Sequence, residues 1–478
     1  MDKENDKDIV VNEINILNSE VSDNLINEDF DLEIYKQHVL SQEYGLCIEC
    51  NQQNTFEDWC KDCCSKKFQQ NFGNWTSENA YIDKFIQESQ LNASDSFELL
   101  EWIPYNKLRN IQFLAQGGFS TIFKAIRLDG WINKWDYEKH DWDRIIEELG
   151  EQDYEDSINP KTKNPLKINE KYGLPVVLKS LNDSSNINDN FLNEWKLHLQ
   201  CQYRAALYGS VLAPLMGITQ DPDTFNYMIV MMKMESSLRS NLLISKYNPN
   251  DKFNNLLLIS AQLEAIHKLN LVHGDLHNGN ILCNGFNSVN ISDLGLCRPV
   301  NQPHINNNIY GVLPYMAPEV LRGKPYTKAA DIYSFGMIMW EMTSGIPVFH
   351  NVPHDLNLSL NICRGIRPEI IEGMMPEYVE LMKRCWDNDP EKRPTAEELE
   401  QFFFEWDRKY PTEENKEKRI SIPENEPEIT YHPKTYYKSR KIDYSAKINE
   451  ILQSETLADC IITEEEAAAQ EFSDYEEN

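Results

Sequence analysis

Four cysteines near the N-terminus have the type and spacing of metal ligands. Cys47 and Cys50 form one Cys-x-x-Cys pair, and Cys60 and Cys63 form a second pair after nine intervening residues. Two such pairs can place four thiolates around Zn²⁺ in a tetrahedron, with Zn–S distances of about 2.3 Å. Because protein would fill all four positions, we expect a structural zinc site. Cys64 is an alternative to Cys63 as the fourth ligand, and free thiols are the alternative to a metal site.

Further polar residues of catalytic type lie in four separate segments. In chain order they are Val177-Leu178-Lys179, His273-Gly274-Asp275-Leu276-His277-Asn278-Gly279-Asn280, Asp293-Leu294-Gly295 and Ala317-Pro318-Glu319. Together, and in this order, they resemble the protein kinase superfamily. The resemblance extends over about 108–406. Within it, the motif Cys385-Trp386-x-x-x-Pro390-x-x-Arg393-Pro394-Thr395 is similar to the tyrosine-kinase-like branch and to tyrosine kinases themselves.

The resemblance implies a role for each polar residue. Asp275 would be the catalytic base, and Lys179 would contact the α- and β-phosphates of ATP. Glu194, fifteen residues after Lys179, would form the ion pair that holds this lysine in place. Asn280 and Asp293 would hold Mg²⁺, which prefers hard oxygen ligands. The implied cofactors are therefore ATP and Mg²⁺.

The resemblance also implies a lining for the ATP pocket. Segment 114–122 is similar to the glycine-rich loop, although Ala115 and Ser120 replace its first and third glycines. Met231 matches the gatekeeper position, and Met234 matches the position whose backbone contacts adenine. The complete implied lining is Leu114, Ala115, Gly117, Gly118, Ile122, Val177, Lys179, Met231, Met234 and Leu282.

The catalytic loop departs from the family pattern at two positions. Gly274 replaces the arginine that binds a phosphate on the activation segment in the family. Segment 293–311 also contains a single hydroxyl, that of Tyr310. These observations predict an enzyme that is active without phosphorylation of this segment. His277 replaces a lysine that contacts the γ-phosphate, and would be a weaker, pH-sensitive substitute.

Two lobes are needed to position these residues. Short β-type runs occupy 111–115, 122–126, 176–178 and 227–232, and long helical patterns follow at 253–269 and 328–343. We therefore expect an α+β, two-lobed protein kinase fold, with a small β-rich N-lobe and a larger helical C-lobe, preceded by the small zinc-binding segment. The family also implies that Asp331 contacts the catalytic loop and that Arg393 forms a buried ion pair with Glu319.

The expected domain boundaries follow from composition and pattern. They are an acidic disordered N-terminus (1–43), the zinc-binding segment (44–68), a helical connector (69–107), the kinase domain (108–406) and a largely disordered acidic tail (407–478). Segment 129–174 is charged and contains three tryptophans, so we interpret it as an insertion between the second and third strands of the N-lobe. One helix in the tail, around 446–457, is a further possibility.

The charge balance restricts the partners. The 478 residues include 77 Asp and Glu against 46 Lys and Arg, a formal net charge of −31, which argues against nucleic acid and anionic membranes as partners. No segment offers the roughly 18 apolar residues of a membrane helix, so we expect no membrane insertion. The acidic start does not resemble a signal peptide. We expect a cytoplasmic location, with unpaired cysteines, and with the basic run 438–441 as either a nuclear signal or solvated tail.

Several activities remain open at this stage. The form Gly-x-x-Pro-Tyr-Met-Ala-Pro-Glu at 311–319 favours a serine/threonine kinase acting on protein substrates in signal transduction. A protein tyrosine kinase is one alternative. A catalytically weak pseudokinase scaffold is another, because Ala115, Ser120, Val177 and Gly274 depart from the motifs. The string His-Gly-Asp-x-His also resembles small-molecule phosphotransferases, which the second-lobe motifs disfavour. The zinc-binding segment and the tails are candidate sites for a protein partner.

Overall fold

The computed structural model describes residues 44–116, 120–181, 184, 192–206, 212–285, 288–302, 309–413, 415 and 418–454. Within these ranges the helices are α1 (Lys61–Asn71), α2 (Ala80–Asn92), α3 (Glu151–Ile158), α4 (Asn193–Ala206), α5 (Leu242–Tyr247), α6 (Asp251–Lys268), α7 (Pro318–Leu321), α8 (Lys328–Ser344), α9 (Leu356–Cys363), α10 (Pro376–Cys385) and α11 (Ala396–Lys409). Residues 445–454 are also helical.

The strands divide between a large sheet and several short ladders. They are β1 (Glu101–Trp102), β2 (Leu108–Gln116), β3 (Ser120–Arg127), β4 (Trp131–Asp136), β5 (Asp141–Ile145), β6 (Glu147–Glu148), β7 (Tyr172–Leu181), β8 (Leu215–Gln220), β9 (Tyr227–Met232), β10 (Ser236–Ser237), β11 (Leu271–Val272), β12 (Ile281–Cys283), β13 (Val289–Ile291), β14 (Arg298–Pro299), β15 (Ile309–Gly311) and β16 (Arg440–Ile442).

The N-lobe is built on one sheet with the strand order β1-β8-β9-β7-β3-β2, and β6 pairs with the start of β7. Side chains alternate between the two faces of a strand. In β7, Val176 and Leu178 are fully buried in the core cluster, whereas Val177 and Lys179 lie on the opposite face. The same face carries Ile122, which pairs with Lys179 across β3 and β7. This face therefore displays the residues expected at the ATP site.

The C-lobe is helical and has its core around α6 and α8. Both helices are buried on nearly all sides, with Leu263, Phe335 and Met339 fully enclosed. Helix α8 ends where Gly345 adopts a left-handed conformation (φ +77°), which a residue without a side chain accepts at low cost. The expected fold, a β-rich N-lobe and a larger helical C-lobe, is confirmed.

The insertion at 129–174 is folded and covers part of the N-lobe. Strands β4 and β5 form an antiparallel hairpin, and α3 follows. The hairpin packs on the cysteine segment, because Trp142 stacks on Phe68 with a centroid distance of 4.3 Å. Lys134 adds an ion pair to Asp58 at 2.6 Å. The cysteine segment is thus attached to the sheet through the insertion.

The connector contains α2, which packs on the N-lobe. Ile82, Phe85 and Ile86 are buried with Trp195 of α4, so α2 supports the helix that carries Glu194. Leu91, which has the same helical spacing in the sequence, remains 36% exposed instead of joining this contact.

The tail differs from the sequence-based expectation of disorder over 407–478. Residues 418–454 lie on the C-lobe, where β16 pairs antiparallel with β15 and Ile442 and Ile448 are buried in the C-lobe core. The prediction was wrong for this segment because its polar composition hides two core residues. Residues 1–43 and 455–478, which were also expected to be disordered, lie outside the described residues.

Candidate active site

Lys179 and Asp293 meet between the two lobes. Lys179 stands on the central strand β7, and its Nζ lies 2.8 Å from Oδ1 of Asp293, which follows β13 in the C-lobe. Only 12% of the lysine side chain is exposed, against 49% of the aspartate side chain. The ion pair therefore joins the sheet to the C-lobe and leaves half of the aspartate side chain open to solvent.

The backbone at Asp293 is unusual, with a left-handed conformation (φ +58°) in a residue that has a side chain. Such conformations cost free energy and concentrate at functional sites. The positive charge of Lys179 lowers the pKa of Asp293 to about 2, and the Lys179 hydrogen bond adds to this effect. Asp293 is therefore an anion at neutral pH, as a cation ligand requires.

Asp331 holds the catalytic loop in place through hydrogen bonds to the backbone of the loop. Its carboxylate accepts hydrogen bonds from the backbone N–H groups of His273 (2.8 Å) and Gly274 (2.9 Å), and His267 Nε2 lies 2.9 Å away. Asp331 stands in the first turn of α8, and its side chain is 2% exposed. This buried carboxylate fixes the position from which the loop presents Asp275.

Asp275 follows directly and is almost fully covered. Its side chain is 7% exposed, and burial together with the negative charge of Asp293 raises the pKa of Asp275 to about 7. Ser439, the backbone of Val312 and the Asn280 side chain oppose this shift. Asn280 also donates from Nδ2 to the Asp275 carbonyl at 3.0 Å. The Asn280 amide is thus held by the backbone of Asp275, whose carboxyl group responds to the charge of Asp293.

His277 does not supply a charge beside Asp275. Burial and the Arg239 charge lower the pKa of His277 well below its ordinary value, so the ring is neutral. The Gly279 N–H donates to Nδ1 at 2.9 Å, which places the ring proton on Nε2, 3.8 Å from the Asp275 carboxylate. The lowered pKa of His277 disfavours the charged ring that was expected to substitute for the lysine, and the bond from Gly279 shows that the ring helps to position the loop.

Glu319 and Arg393 form the ion pair that the family resemblance implies. Arg393 donates from Nη1 and Nη2 to the two carboxylate oxygens at 2.7 and 2.8 Å, and its side chain is fully buried. The guanidinium also donates to the Ala329 carbonyl at 2.9 Å. This contact ties the helix after the activation segment to the end of the C-lobe, so its role is structural.

The four cysteines of the two Cys-x-x-Cys pairs converge. The Sγ atoms of Cys47, Cys50, Cys60 and Cys63 all lie within 4.8 Å of one another. A tetrahedral site with Zn–S bonds of about 2.3 Å needs S···S separations of about 3.8 Å. The separations are 3.8 Å for Cys47–Cys63 and 3.6 Å for Cys50–Cys60. Cys64 instead packs with Trp59 and Phe68.

Comparison with known proteins gives this arrangement a family. A family model described as protein tyrosine and serine/threonine kinase matches residues 144–403, more than half of the chain. The chain belongs to this kinase family. The resemblance inferred from the dispersed motifs is confirmed, and the match begins within the insertion.

Curated relatives carry kinase names. A Dictyostelium discoideum protein named as a probable serine/threonine-protein kinase is 28% identical over 243 residues, which are 48% of this chain and 18% of that protein. The serine/threonine/tyrosine-protein kinase HT1 of Arabidopsis thaliana is 32% identical over 136 residues (28% and 35%). The human dual serine/threonine and tyrosine protein kinase is 38% identical over 136 residues (28% and 14%). The chain thus spans about a third or less of the length of these relatives.

Within this kinase, four residues of the implied ATP lining, Ile122, Val177, Lys179 and Met231, share one face of the N-lobe sheet. Val177 pairs with Met231 across β7 and β9, and both are partly buried beside Lys179. Leu282 lies on β12 of the C-lobe, and Met234 follows β9. Leu114 and Ala115, at the end of β2, are exposed.

Three implied site residues have side chains or backbone outside the described part of the chain. Gly117 and Gly118 fall in the gap between β2 and β3. Glu194 belongs to the first turn of α4, but its side chain is outside the described set. Its ion pair with Lys179 therefore stays a prediction.

Arg239 is a kinase-site residue that the sequence did not reveal. Its guanidinium donates to the Tyr437 carbonyl at 2.8 Å and lies 3.3 Å from His277 Nδ1 and 3.4 Å from the Tyr315 hydroxyl. It therefore connects the tail, the catalytic loop and the end of the activation segment. No local pattern marks this arginine, because its three partners are remote in the sequence.

Among the described residues, no helix combines the length and the apolarity that a bilayer crossing requires.

Proposed function

We propose that this kinase domain transfers the γ-phosphate of Mg²⁺-ATP to serine and threonine hydroxyls of protein substrates. The observation that carries the proposal is the pairing of Lys179 with Asp293 across the lobes, 2.8 Å apart, beside the covered carboxylate of Asp275. A cation from one lobe, a metal-type carboxylate from the other and a proton acceptor are the parts that phosphoryl transfer requires.

Each residue contributes one step to this chemistry. Lys179 would bind phosphate oxygens as a point charge, and Asp275 would orient the acceptor hydroxyl and take its proton. Asn280 and Asp293 would hold Mg²⁺, and the adjacent backbones support this, because the Ser292 N–H donates to the Asn280 carbonyl at 2.8 Å. When bound, Mg²⁺ supplies positive charge to the phosphate oxygens. The exposed half of Asp293 faces solvent, as a metal-binding carboxylate must.

Serine and threonine are the favoured acceptors. The motif at 311–319 has the form that is common in serine/threonine kinases. The names of relatives include both serine/threonine and dual-specificity kinases, so tyrosine transfer is the second outcome to measure. The acidic composition supports protein partners over nucleic acid, and a cytoplasmic location agrees with reduced cysteines.

The decisive experiment is transfer of labelled phosphate from Mg²⁺-ATP to a mixed protein substrate. Asp275→Asn is expected to lose about 10²-fold or more of the activity, because it removes the general base. Asp223→Asn is the matched control, since this exposed aspartate lies outside the cleft and is paired with Lys163. Phosphoamino-acid analysis then assigns the acceptor. Equal label from both variants would overturn the proposal.

We also propose that Cys47, Cys50, Cys60 and Cys63 hold one structural Zn²⁺. The S···S distances support this set, because they match the separations of a tetrahedral site with four sulfur ligands. The metal would stabilise a segment too short to form its own core. Elemental analysis should find about one zinc per chain, retained in Cys64→Ala and lost in Cys50→Ser. Zinc absent from the full chain, or retained in Cys50→Ser, would refute this ligand set.

A further inference from the structure

The tail follows a continuous path over the C-lobe towards the active site. Arg419 pairs with Asp251 at the start of α6, and Glu426 accepts a hydrogen bond from Lys246 at 2.7 Å. Further along, the N–H of His354 donates to the Lys434 carbonyl at 3.1 Å. Two of these contacts use charged side chains and the third uses the backbone, so the polar composition of the tail is compatible with a defined path.

Two contacts then fix the tail on either side of the catalytic loop. On the N-terminal side of residues 438 and 439, Arg239 donates to the Tyr437 carbonyl at 2.8 Å, and the Tyr437 hydroxyl donates to the Val348 carbonyl at 2.7 Å. On their C-terminal side, Arg440 pairs with Gly311 in the antiparallel ladder of β16 and β15. The chain between these anchors is two residues long, so it has little freedom to leave the cleft.

Ser439 is one of those two residues, and it faces the proposed base. The Ser439 hydroxyl oxygen is buried and has no hydrogen-bond partner among the described residues, and its neighbours on the two sides are held by Arg239 and by Gly311. Its side chain also opposes the rise in the pKa of Asp275. The neighbouring Lys438 points to solvent. A buried hydroxyl without another partner, held in the chain next to the catalytic loop, is available to donate its proton to a general base.

We propose that Ser439 is a phosphoacceptor for the active site of its own chain. This inference rests on the proposed kinase function. The Ser439 Oγ would form a bond to the γ-phosphorus of ATP, and the bond from that phosphorus to the β,γ-bridging oxygen would break. The electron pair leaves with ADP, and the hydroxyl proton passes to Asp275. The products are phosphoserine at 439 and ADP.

The geometry favours serine over tyrosine at this position. The backbone of Arg440 is held by β15, and the backbone of Tyr437 by Arg239, so Ser439 reaches Asp275 with a side chain of one carbon. A phenol on the same backbone would extend beyond the carboxylate. After transfer, a phosphate dianion would lie beside Asp275 and Asp293, and repulsion between like charges would weaken the seating of the tail.

The test is phosphosite mapping by mass spectrometry on the full chain incubated with Mg²⁺-ATP. Position 439 should be labelled as phosphoserine in the parent chain and as phosphothreonine in Ser439→Thr, and the label at this position should be lost in Ser439→Ala. Ser421→Ala is the matched control, because Ser421 is an exposed serine of the same tail. Asp275→Asn should carry no label, which excludes a contaminating kinase.

Dilution separates an intramolecular reaction from transfer between molecules. The rate constant should stay unchanged over about 100-fold dilution, because a unimolecular step does not depend on concentration. A rate that falls in proportion to concentration would overturn the assignment to the same chain. Label on an added mixed protein substrate, with none on Ser439, would refute this inference and leave the kinase function standing. No label on either would refute the kinase function itself.

Discussion

If the tail covers the acceptor position, loosening it at a distance should open the site to other proteins. Ile448 is the residue to change, because it is fully buried between the helical segment 445–454 and the C-lobe and touches no catalytic group. Ile448→Ala should be made in a Ser439→Ala background, so that phosphorylation cannot release the tail. The matched control is Ile422→Ala in the same background, since Ile422 is 41% exposed in the same tail.

The magnitude follows from burial. Replacing a fully buried isoleucine with alanine costs about 2–5 kcal/mol. At about 1.4 kcal/mol per factor of ten, the seating equilibrium should fall roughly 30-fold to 5,000-fold. Ser445 at the start of the segment lies over Gly323, and Asn449 exchanges hydrogen bonds with Arg322, so other contacts remain but are exposed. The loss should therefore release the tail without unfolding the C-lobe.

The assay is kcat/KM for an added protein substrate, together with trypsin cleavage at Lys438, Arg440 and Lys441. Ile448→Ala should be cleaved faster and should raise kcat/KM by about tenfold or more. The upper limit of this gain is the ratio, in the parent, of molecules whose tail covers the site to molecules whose tail is released. Ile422→Ala should change neither quantity. Faster cleavage with an unchanged kcat/KM would refute the idea that the tail blocks the acceptor position. Unchanged cleavage would refute the estimate of the seating energy.

Three further outcomes are expected. Lys252→Met should stabilise the protein by about 3 kcal/mol at pH 7, because burial lowers the pKa of Lys252 to about 8 and the charged form pays this cost below that pH. The parent should gain stability from pH 8 to 10.5, because the unfolded chain still binds the Lys252 proton there and the folded chain does not. Thermal melts in which Lys252→Met is no more stable than the parent at pH 7 would contradict this prediction. Arg393→Ala should cost about 3–5 kcal/mol in urea unfolding, because Glu319 is left as an unpaired buried charge, and a loss below about 1 kcal/mol would show that the carboxylate finds water. Tyr310→Phe should retain activity towards an added substrate within about twofold, since segment 293–311 has no other hydroxyl, and a loss of more than tenfold would show that phosphorylation of this tyrosine is needed.

Residues with local spacing rules were the ones that the sequence could place. The nine residues between the two Cys-x-x-Cys pairs are few enough for the pairs to lie close together. Lys179, Asp275 and Asp293 occur along the chain in the same order as the strands and loops that carry them. The contact between Asp331 and the catalytic loop was implied by the family resemblance and is present in the structure. For these residues the family pattern agrees with the structure, because each strand, loop or helix supplies one functional side chain at a fixed place in its own sequence.

Contacts between remote segments were not predictable in the same way. Ile442 and Ile448 are two apolar residues in a polar tail, too few to give a periodic signal. Trp142 stacks on Phe68 across 74 residues of sequence, so the insertion looked like a long loop. The pKa of His277 is lowered by burial and then by the charge of Arg239, which lies 38 residues earlier. In each case the partner that decides the structure is absent from the local sequence.

The glycine at 274 fits this remote organisation. A Cβ there would lie 3.0 Å from Nη2 of Arg298 and 3.1 Å from the Leu296 carbonyl, and φ is +75°, so a larger residue would displace the arginine. The Arg298 guanidinium lies over the ring of Tyr326, whose hydroxyl donates to the Tyr310 carbonyl at 2.8 Å. Tyr310 is the middle residue of β15, which pairs with the tail. The described end of the activation segment, at β15, is therefore held by Arg298 through Tyr326 and by the strand β16 of the tail. A phosphate and the missing arginine would otherwise have to provide such contacts.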